Sequence, residues 1–292
     1  MQVRTIAVIG AGTMGRGIAY VSAFGGYHTI LEDISQSKIG QARAWIQRAF
    51  DDGVSGGKAE AATRDAALKQ LTTANKVEDA IREADLIIEA VPEEMEMKLE
   101  LFSIFDKFAK ANAIFASNTS SLSITEMSDI TVYRERCIGM HFFNPVPKMK
   151  LIELIKTPLT SDETIATCRE VGRRMGKDVV VVKDSPGFIT SRVSALISNE
   201  AFALLETDIA SARDIDKALR LGLNHPMGPL ELADLVGLDV CLNVLEYLRQ
   251  TLGEKYKPSP LLQRYVKEGR LGRKSGRGVY DYPQQELSAE TQ

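Results

Sequence analysis

The sequence predicts an α/β fold: a doubly wound, parallel sheet in the first part of the chain, followed by a smaller all-α domain. Three observations carry that reading. Short Val- and Ile-rich runs alternate with helix-length amphipathic stretches over the first 184 residues. The first such run leads straight into the spacing G-x-G-x-x-G. Beyond "KDSPGF" the apolar residues recur at helical spacing instead. Alternation of strands and helices is what parallel sheets with helices on both faces require.

In chain order, "TIAVIG", "HTILED", "ADLIIEAV", "AIFASN", "CIGMHF" and "DVVVVKD" read as strands. Residues 35 to 70 interrupt the rhythm. They are polar and alanine-rich around "DDGVSGG", and predict two helices joined by a glycine turn, inserted after the second strand. "ITSRVSALISNEAFALL", "ASARDIDKALRLGL" and "PLELADLVGLDVCLNVLEYLRQ" predict helices. Pro186-Gly187 is a natural joint, and the domain boundary is placed near residue 184, giving domains 1–184 and 185–292. The last ten residues are polar and predict a mobile tail.

Composition narrows the partners. With 36 Lys and Arg against 39 Asp and Glu, the net charge of −3 gives no support for nucleic acid or an anionic membrane as a partner. No apolar run reaches the roughly 18 residues of a membrane span. No signal peptide is read at the N-terminus. Cys137, Cys168 and Cys241 are odd in number and lack metal-ligand spacing, so reduced core thiols in a cytosol are expected, with no metal site.

The glycine spacing has its required context. A strand precedes Gly10, Gly12 and Gly15, and a helix opened by Thr13 and Met14 follows them. Asp33 stands 18 positions beyond Gly15. Gly10 permits the tight turn, Gly12 lets a pyrophosphate approach the backbone, and Gly15 lets helix and sheet pack closely. Asp33 can accept hydrogen bonds from both adenosine ribose hydroxyls and would repel a 2′-phosphate. NAD is therefore favoured over NADP, with Lys38 the cation that argues the other way. This end of the chain reads as a Rossmann-type NAD-binding domain.

A second cluster lies further on. Residues 136 to 143 and 150 to 156 read as strands with the turn signal "NPVPKM" between them. In a hairpin centred on Pro147, positions summing to 294 face each other, which pairs His141 with Glu153. A carboxylate at one ring nitrogen fixes the tautomer and stabilises the imidazolium once the other nitrogen takes a proton. The competing reading is a structural histidine beside a surface glutamate. "SNTSSLSI" follows a strand, at the edge where open α/β sheets bind ligands. There Ser120 or Asn118 could donate to a substrate oxygen, and helix capping is the alternative.

Together these segments resemble the 3-hydroxyacyl-CoA dehydrogenase family, especially its short bacterial 3-hydroxybutyryl-CoA dehydrogenases. The resemblance runs from "IAVIGAGTMGRGIA" through "SNTSSLSIT", "HFFNPVPKMKLIELI", "DSPGFI" and "NHPMGPLELADLVGLD" to "LGRKSGRGVYDY". It implies reversible NAD-dependent oxidation of a (3S)-3-hydroxyacyl-CoA, a helical domain that closes the substrate site and forms a homodimer, and a cytoplasmic enzyme of fatty-acid metabolism. His141 then matches the general base and Glu153 its partner. Ser120 and Asn144 match groups that hydrogen-bond the 3-oxygen and the surrounding site. Glu93 and Lys98 match residues lining the nicotinamide half. Ser191 matches a substrate-site position where the family often has asparagine, a departure from its pattern. Arg43, Arg48 and Lys58, on the inserted helices, are candidates to meet CoA phosphates, and His225 reads as structural. Two alternatives remain open: a dehydrogenase of a free hydroxy acid or sugar acid on the same fold, and a non-catalytic nucleotide-binding protein.

Overall fold

The computed structural model describes residues 1–57 and 59–283. Lys58 and most of the polar tail considered above lie outside the described residues. Contacts divide the chain into two compact units, Met1–Ser185 and Pro186–Gln292.

The first unit is built on an eight-stranded sheet. Its elements are β1 (Thr5–Ile9), α1 (Thr13–Phe24), β2 (His28–Glu32), α2 (Gln36–Ser55), α3 (Ala61–Gln70), β3 (Leu71–Ala74), α4 (Val77–Ile81), β4 (Leu86–Glu89), α5 (Met95–Phe108), β5 (Ile114–Ser117), α6 (Ile124–Asp129), β6 (Cys137–Phe142), β7 (Leu151–Lys156), α7 (Asp162–Arg174) and β8 (Asp178–Lys183). The strand order is β3-β2-β1-β4-β5-β6-β7-β8. The order reverses between β1 and β4, the switch point where open α/β sheets bind ligands.

β1, β4, β5 and β6 are almost wholly buried, which explains their unbroken apolar runs. Ile6, Val8, Ile18, Leu31, Leu86, Ile88 and Ile138 belong to one core cluster between sheet and helices. The expected parallel sheet is parallel only through β6. β6 and β7 pair antiparallel, and β8 runs parallel to β7, so the last two strands are reversed. A tight turn can only return the chain antiparallel, and α7 then crosses over to give β8 the direction of β7. β3 is a strand the sequence reading missed. It has four residues with two threonines at the sheet edge, too short and too polar to show a period.

The two helices expected within 35–70 are α2 and α3, separated by a turn at Gly56 and Gly57, where Gly57 takes φ +67°. Ser35 caps α2 by accepting from the Lys38 amide. α2 packs on α1 through Tyr20, Phe24 and Phe50.

The second unit is built from helices: α8 (Thr190–Glu206), α9 (Ala212–Gly222), α10 (Pro229–Val236), α11 (Leu238–Leu252) and α12 (Pro260–Lys267). Phe202, Leu230, Leu238, Leu245, Leu261 and Leu262 form its centre. Two buried aspartates hold its final segment. Asp216 accepts from the amides of Leu230 and Glu231 at the start of α10 and from the Tyr280 hydroxyl. Asp234 accepts from the amides of Val279 and Tyr280 and from the Tyr282 hydroxyl. "GRGVYDY" is thereby a strap across α9 and α10. Among the described residues no helix is long and apolar enough to cross a membrane.

Candidate active site

Strand register places several functional candidates at one edge of the sheet. Ile9, Glu89, Ser117 and Gly139 are level across β1, β4, β5 and β6. The turn after β1, the loops after β4 and β5, and the last residues of β6 therefore all leave the carboxyl edge.

At β1 the chain turns through Gly10, with φ +102°. A Cβ there would stand 2.8 Å from the Ala90 carbonyl oxygen. Gly15 lies so close beneath the turn that a Cβ would come within 1.7 Å of the Gly10 oxygen. Gly12 is the opposite case, because nothing lies within 4 Å of where its Cβ would be. Gly12 also precedes α1 and supplies no side-chain cap, so the first N–H groups of the helix face open space. That concavity, at the positive end of a helix dipole, fits a pyrophosphate. Thr13 is exposed beside it, and Met14 packs partly onto the core. Asp33 is held at the same loop: its Oδ2 accepts from the Ala11 amide at 3.0 Å and its Oδ1 from the Ser35 amide at 2.8 Å. Its neighbour Glu32 is 2% exposed, with Oε1 lacking a partner among the described residues. Burial, then Asp33 and Glu78, push the Glu32 carboxyl up to about 7.

An ionic cluster, buried at Glu89 and Lys98, stands behind the loops after β4 and β5. Lys98, on α5, is 1% exposed, and its Nζ lies 2.8 Å from Glu89 Oε1 and 3.2 Å from Glu93 Oε2. Glu89 also accepts from the Val91 amide and from the Ser117 hydroxyl. Glu93 Oε1 collects the hydroxyl of Thr119 at 2.6 Å, the amide of Ser120 at 2.9 Å and its hydroxyl at 3.2 Å. Burial opposes ionisation of Glu93, but Lys98 and these donors outweigh it and hold the carboxyl below its usual range. The cluster thus fixes the backbone that carries Ser120. Helix capping in this segment is done by Ser123, whose hydroxyl accepts from the Glu126 amide.

On β6 and β7, His141 faces Glu153, and all five residue pairs of the ladder sum to 294. Nδ1 of His141 lies 2.9 Å from Oε2 of Glu153. The histidine is 6% exposed and the glutamate 0%. Phe143 packs against the imidazole with ring centroids 4.3 Å apart. Asn118 straps the neighbouring loop to this strand, its Oδ1 accepting from the Phe142 amide at 3.0 Å. Asn144 is exposed just beyond β6, joined to Pro145 by a cis peptide bond. The turn that follows is pinned from below by Lys177, whose Nζ donates to the carbonyl of Val146 and, at 2.7 Å, to that of Met149. Burial, then Lys150, pull the Lys177 ammonium down to about 8.

Other candidates are carried by other elements. Ser191 is on α8 and His225 precedes α10, both in the second unit. Arg43 and Arg48 are exposed on α2. Sequence reasoning missed Glu89 and Lys177. The one available signal for Glu89 was a carboxylate ending the buried run "LIIE"; Lys177 gave none.

An acid beyond β2, a glycine-rich turn at the switch point and an imidazole–carboxylate pair at the same sheet edge define the class: a dinucleotide-dependent oxidoreductase. Comparison with known proteins specifies it further. The family models "3-hydroxyacyl-CoA dehydrogenase, NAD binding domain" and "3-hydroxyacyl-CoA dehydrogenase, C-terminal domain" match residues 5–185 and 187–282. A probable 3-hydroxybutyryl-CoA dehydrogenase of Bacillus subtilis is 42% identical over 97% of this chain and 98% of its own. A 3-hydroxybutyryl-CoA dehydrogenase of Bradyrhizobium diazoefficiens is 42% identical over 96% of both chains. The crystal structure of (S)-3-hydroxybutyryl-CoA dehydrogenase from Ralstonia eutropha superposes with a TM-score of 0.93 at 40% identity, covering 97% of this chain and 100% of that one. The chain belongs to the 3-hydroxyacyl-CoA dehydrogenase family and is an NAD-dependent oxidoreductase acting on 3-hydroxyacyl-CoA.

Proposed function

We propose that the chain interconverts (3S)-3-hydroxybutyryl-CoA and acetoacetyl-CoA, with His141 as the general base and Glu153 as its orienting acid. The observation that carries this reading is the 2.9 Å contact between His141 Nδ1 and Glu153 Oε2 at the carboxyl edge of the sheet. With Nδ1 engaged by the carboxylate, Nε2 is the nitrogen that takes the proton of the 3-hydroxyl group. Glu153, buried beneath the ring, stabilises the imidazolium that results. NAD, when bound, supplies the hydride acceptor at its nicotinamide C4. Ser120 and Asn144 donate to the 3-oxygen in the reductive direction. Gly10, Gly12, Thr13, Met14 and Gly15 hold the dinucleotide phosphates, Asp33 the adenosine ribose, and Glu93, Lys98 and Asn118 shape the nicotinamide end.

The four-carbon substrate is supported by the names of relatives above 40% identity over almost the whole chain. The same reading makes the enzyme cytoplasmic, with a role in fatty-acid metabolism, and homodimeric through its helical unit, where Ser191 would reach the substrate. The test is a steady-state assay of His141→Ala with acetoacetyl-CoA and NADH. Turnover is expected to fall by about 10²- to 10⁴-fold while NADH still binds. Near-normal turnover would remove the base assignment, and equal activity on free acetoacetate would remove the CoA substrate.

A further inference from the structure

Arg16 lies one helical turn beyond Gly12, its amide bonded to the Gly12 carbonyl at 2.9 Å. Its side chain leans away from the sheet toward α2. The guanidinium carbon stands 4.7 Å from the ring centroid of Trp45, the sole tryptophan of the chain. Trp45 in turn meets Tyr20 edge-on at 6.3 Å, and Tyr20 contacts Phe50 at 4.2 Å. The guanidinium is thus parked on the rim of a rigid aromatic seam between α1 and α2.

One of its donors is unaccounted for. Nε of Arg16 is buried and has no hydrogen-bond partner, and no carboxylate pairs with the side chain among the described residues. Arg48, three residues after Trp45 and so on the same face of α2, is close enough to lower the Arg16 pKa, second only to burial. The guanidinium stays charged throughout the ordinary pH range. A buried donor without an acceptor is destabilising, and a neighbouring like charge adds to it. The contact with Trp45 offsets part of this, and an anion would satisfy the donor and balance the two charges.

We propose that Arg16, backed by Trp45, is a subsite for a phosphate group of a bound nucleotide. A guanidinium resting over an indole, with a donor still unsatisfied, suits contact with phosphate oxygens. Two nucleotides reach this unit under the function proposed above, NAD and the CoA moiety of the substrate, and the chemistry of the subsite is shared by both.

The sole tryptophan makes the subsite directly readable. CoA, dephospho-CoA and NADH are each titrated against the full-length protein and the variants R16Q and R16K, following Trp45 fluorescence. R16Q is expected to weaken at least one of the three ligands about tenfold, close to 1.4 kcal/mol, with R16K recovering part of the loss. Loss confined to CoA assigns the 3′-phosphate; equal loss for CoA and dephospho-CoA assigns the CoA pyrophosphate; loss for NADH assigns the dinucleotide. Dissociation constants within twofold of wild type for all three ligands overturn the proposal. Should R16Q not fold, W45L measured by calorimetry replaces it, with the same expected weakening and the same overturning result. Binding is read independently of turnover. An inactive wild type would therefore sink the substrate assignment without touching the subsite, and unchanged binding in R16Q would do the reverse.

Discussion

His141 and Glu153 oppose each other directly across β6 and β7, with Nδ1 of the imidazole 2.9 Å from Oε2 of the carboxylate and both side chains buried. Glu153→Gln keeps the shape of the partner but removes the charge that stabilises an imidazolium. Its kcat with acetoacetyl-CoA is expected to fall on the order of 10²-fold, with NADH affinity unchanged in a fluorescence titration. A kcat within threefold of wild type would show that the carboxylate only packs.

Lys98 is buried between two carboxylates, Glu89, which is buried with it, and Glu93, which reaches solvent. Lys98→Met would leave Glu89 buried without its counter-charge, and urea unfolding should report a loss of roughly 3–5 kcal/mol. Adding Glu89→Gln to that variant should recover a substantial part of the stability. Additive losses would mean that the two residues do not compensate each other.

Asp33 anchors the Ala11 amide, and in the proposed reading it also accepts from the adenosine ribose. Asp33→Asn should raise the Kd for NADH by roughly tenfold, about 1.4 kcal/mol, and narrow the preference over NADPH. Parallel titrations with the two dinucleotides test both statements, and an unchanged NADH/NADPH ratio would detach Asp33 from specificity.

Glu32 links stability to pH. Its carboxyl titrates near 4.5 when the chain is unfolded and at about 7 when folded. Between these values the folded state keeps a proton that the unfolded state has released, so stability falls as pH rises through that window and levels off above it. The total is about 3 kcal/mol. Denaturant unfolding at pH 5 and pH 8 should show this decline in wild type and its disappearance in Glu32→Gln, relative to each other.

Lys177 holds the turn that follows Asn144 by two carbonyls. If it acts through that turn, Lys177→Met lowers kcat about tenfold in the wild-type background and by less than twofold once Asn144→Ala is present. Equal losses in both backgrounds would reduce Lys177 to a structural lysine.

Much of this site was legible because its determinants are local. Gly10, Gly12 and Gly15 are spaced by the geometry of a single strand-to-helix turn, and the positions where a Cβ would collide, at Gly10 and Gly15, bracket the one where it would not. The facing of His141 and Glu153 follows from strand period and one short turn, so counting positions about Pro147 was enough. The edge strand β3 was lost because four residues, only one of them buried, carry no usable period. The reversal of β7 and β8 was only half visible, since the hairpin implied it for β7 while β8 depends on where α7 crosses.

By itself, then, the sequence determined the dinucleotide turn, the hairpin register and the change from sheet to helices, each set by short-range steric rules acting along contiguous residues. Tertiary structure alone decided which charges are neutralised and by whom. Lys98 finds Glu89 nine positions away on another element, Lys177 reaches back to the carbonyls of Val146 and Met149, and Arg16 meets Trp45 across two helices. The reason is physical: a buried charge is stabilised by whatever groups close packing brings within about 3 Å, and that neighbourhood exists only once the elements have assembled.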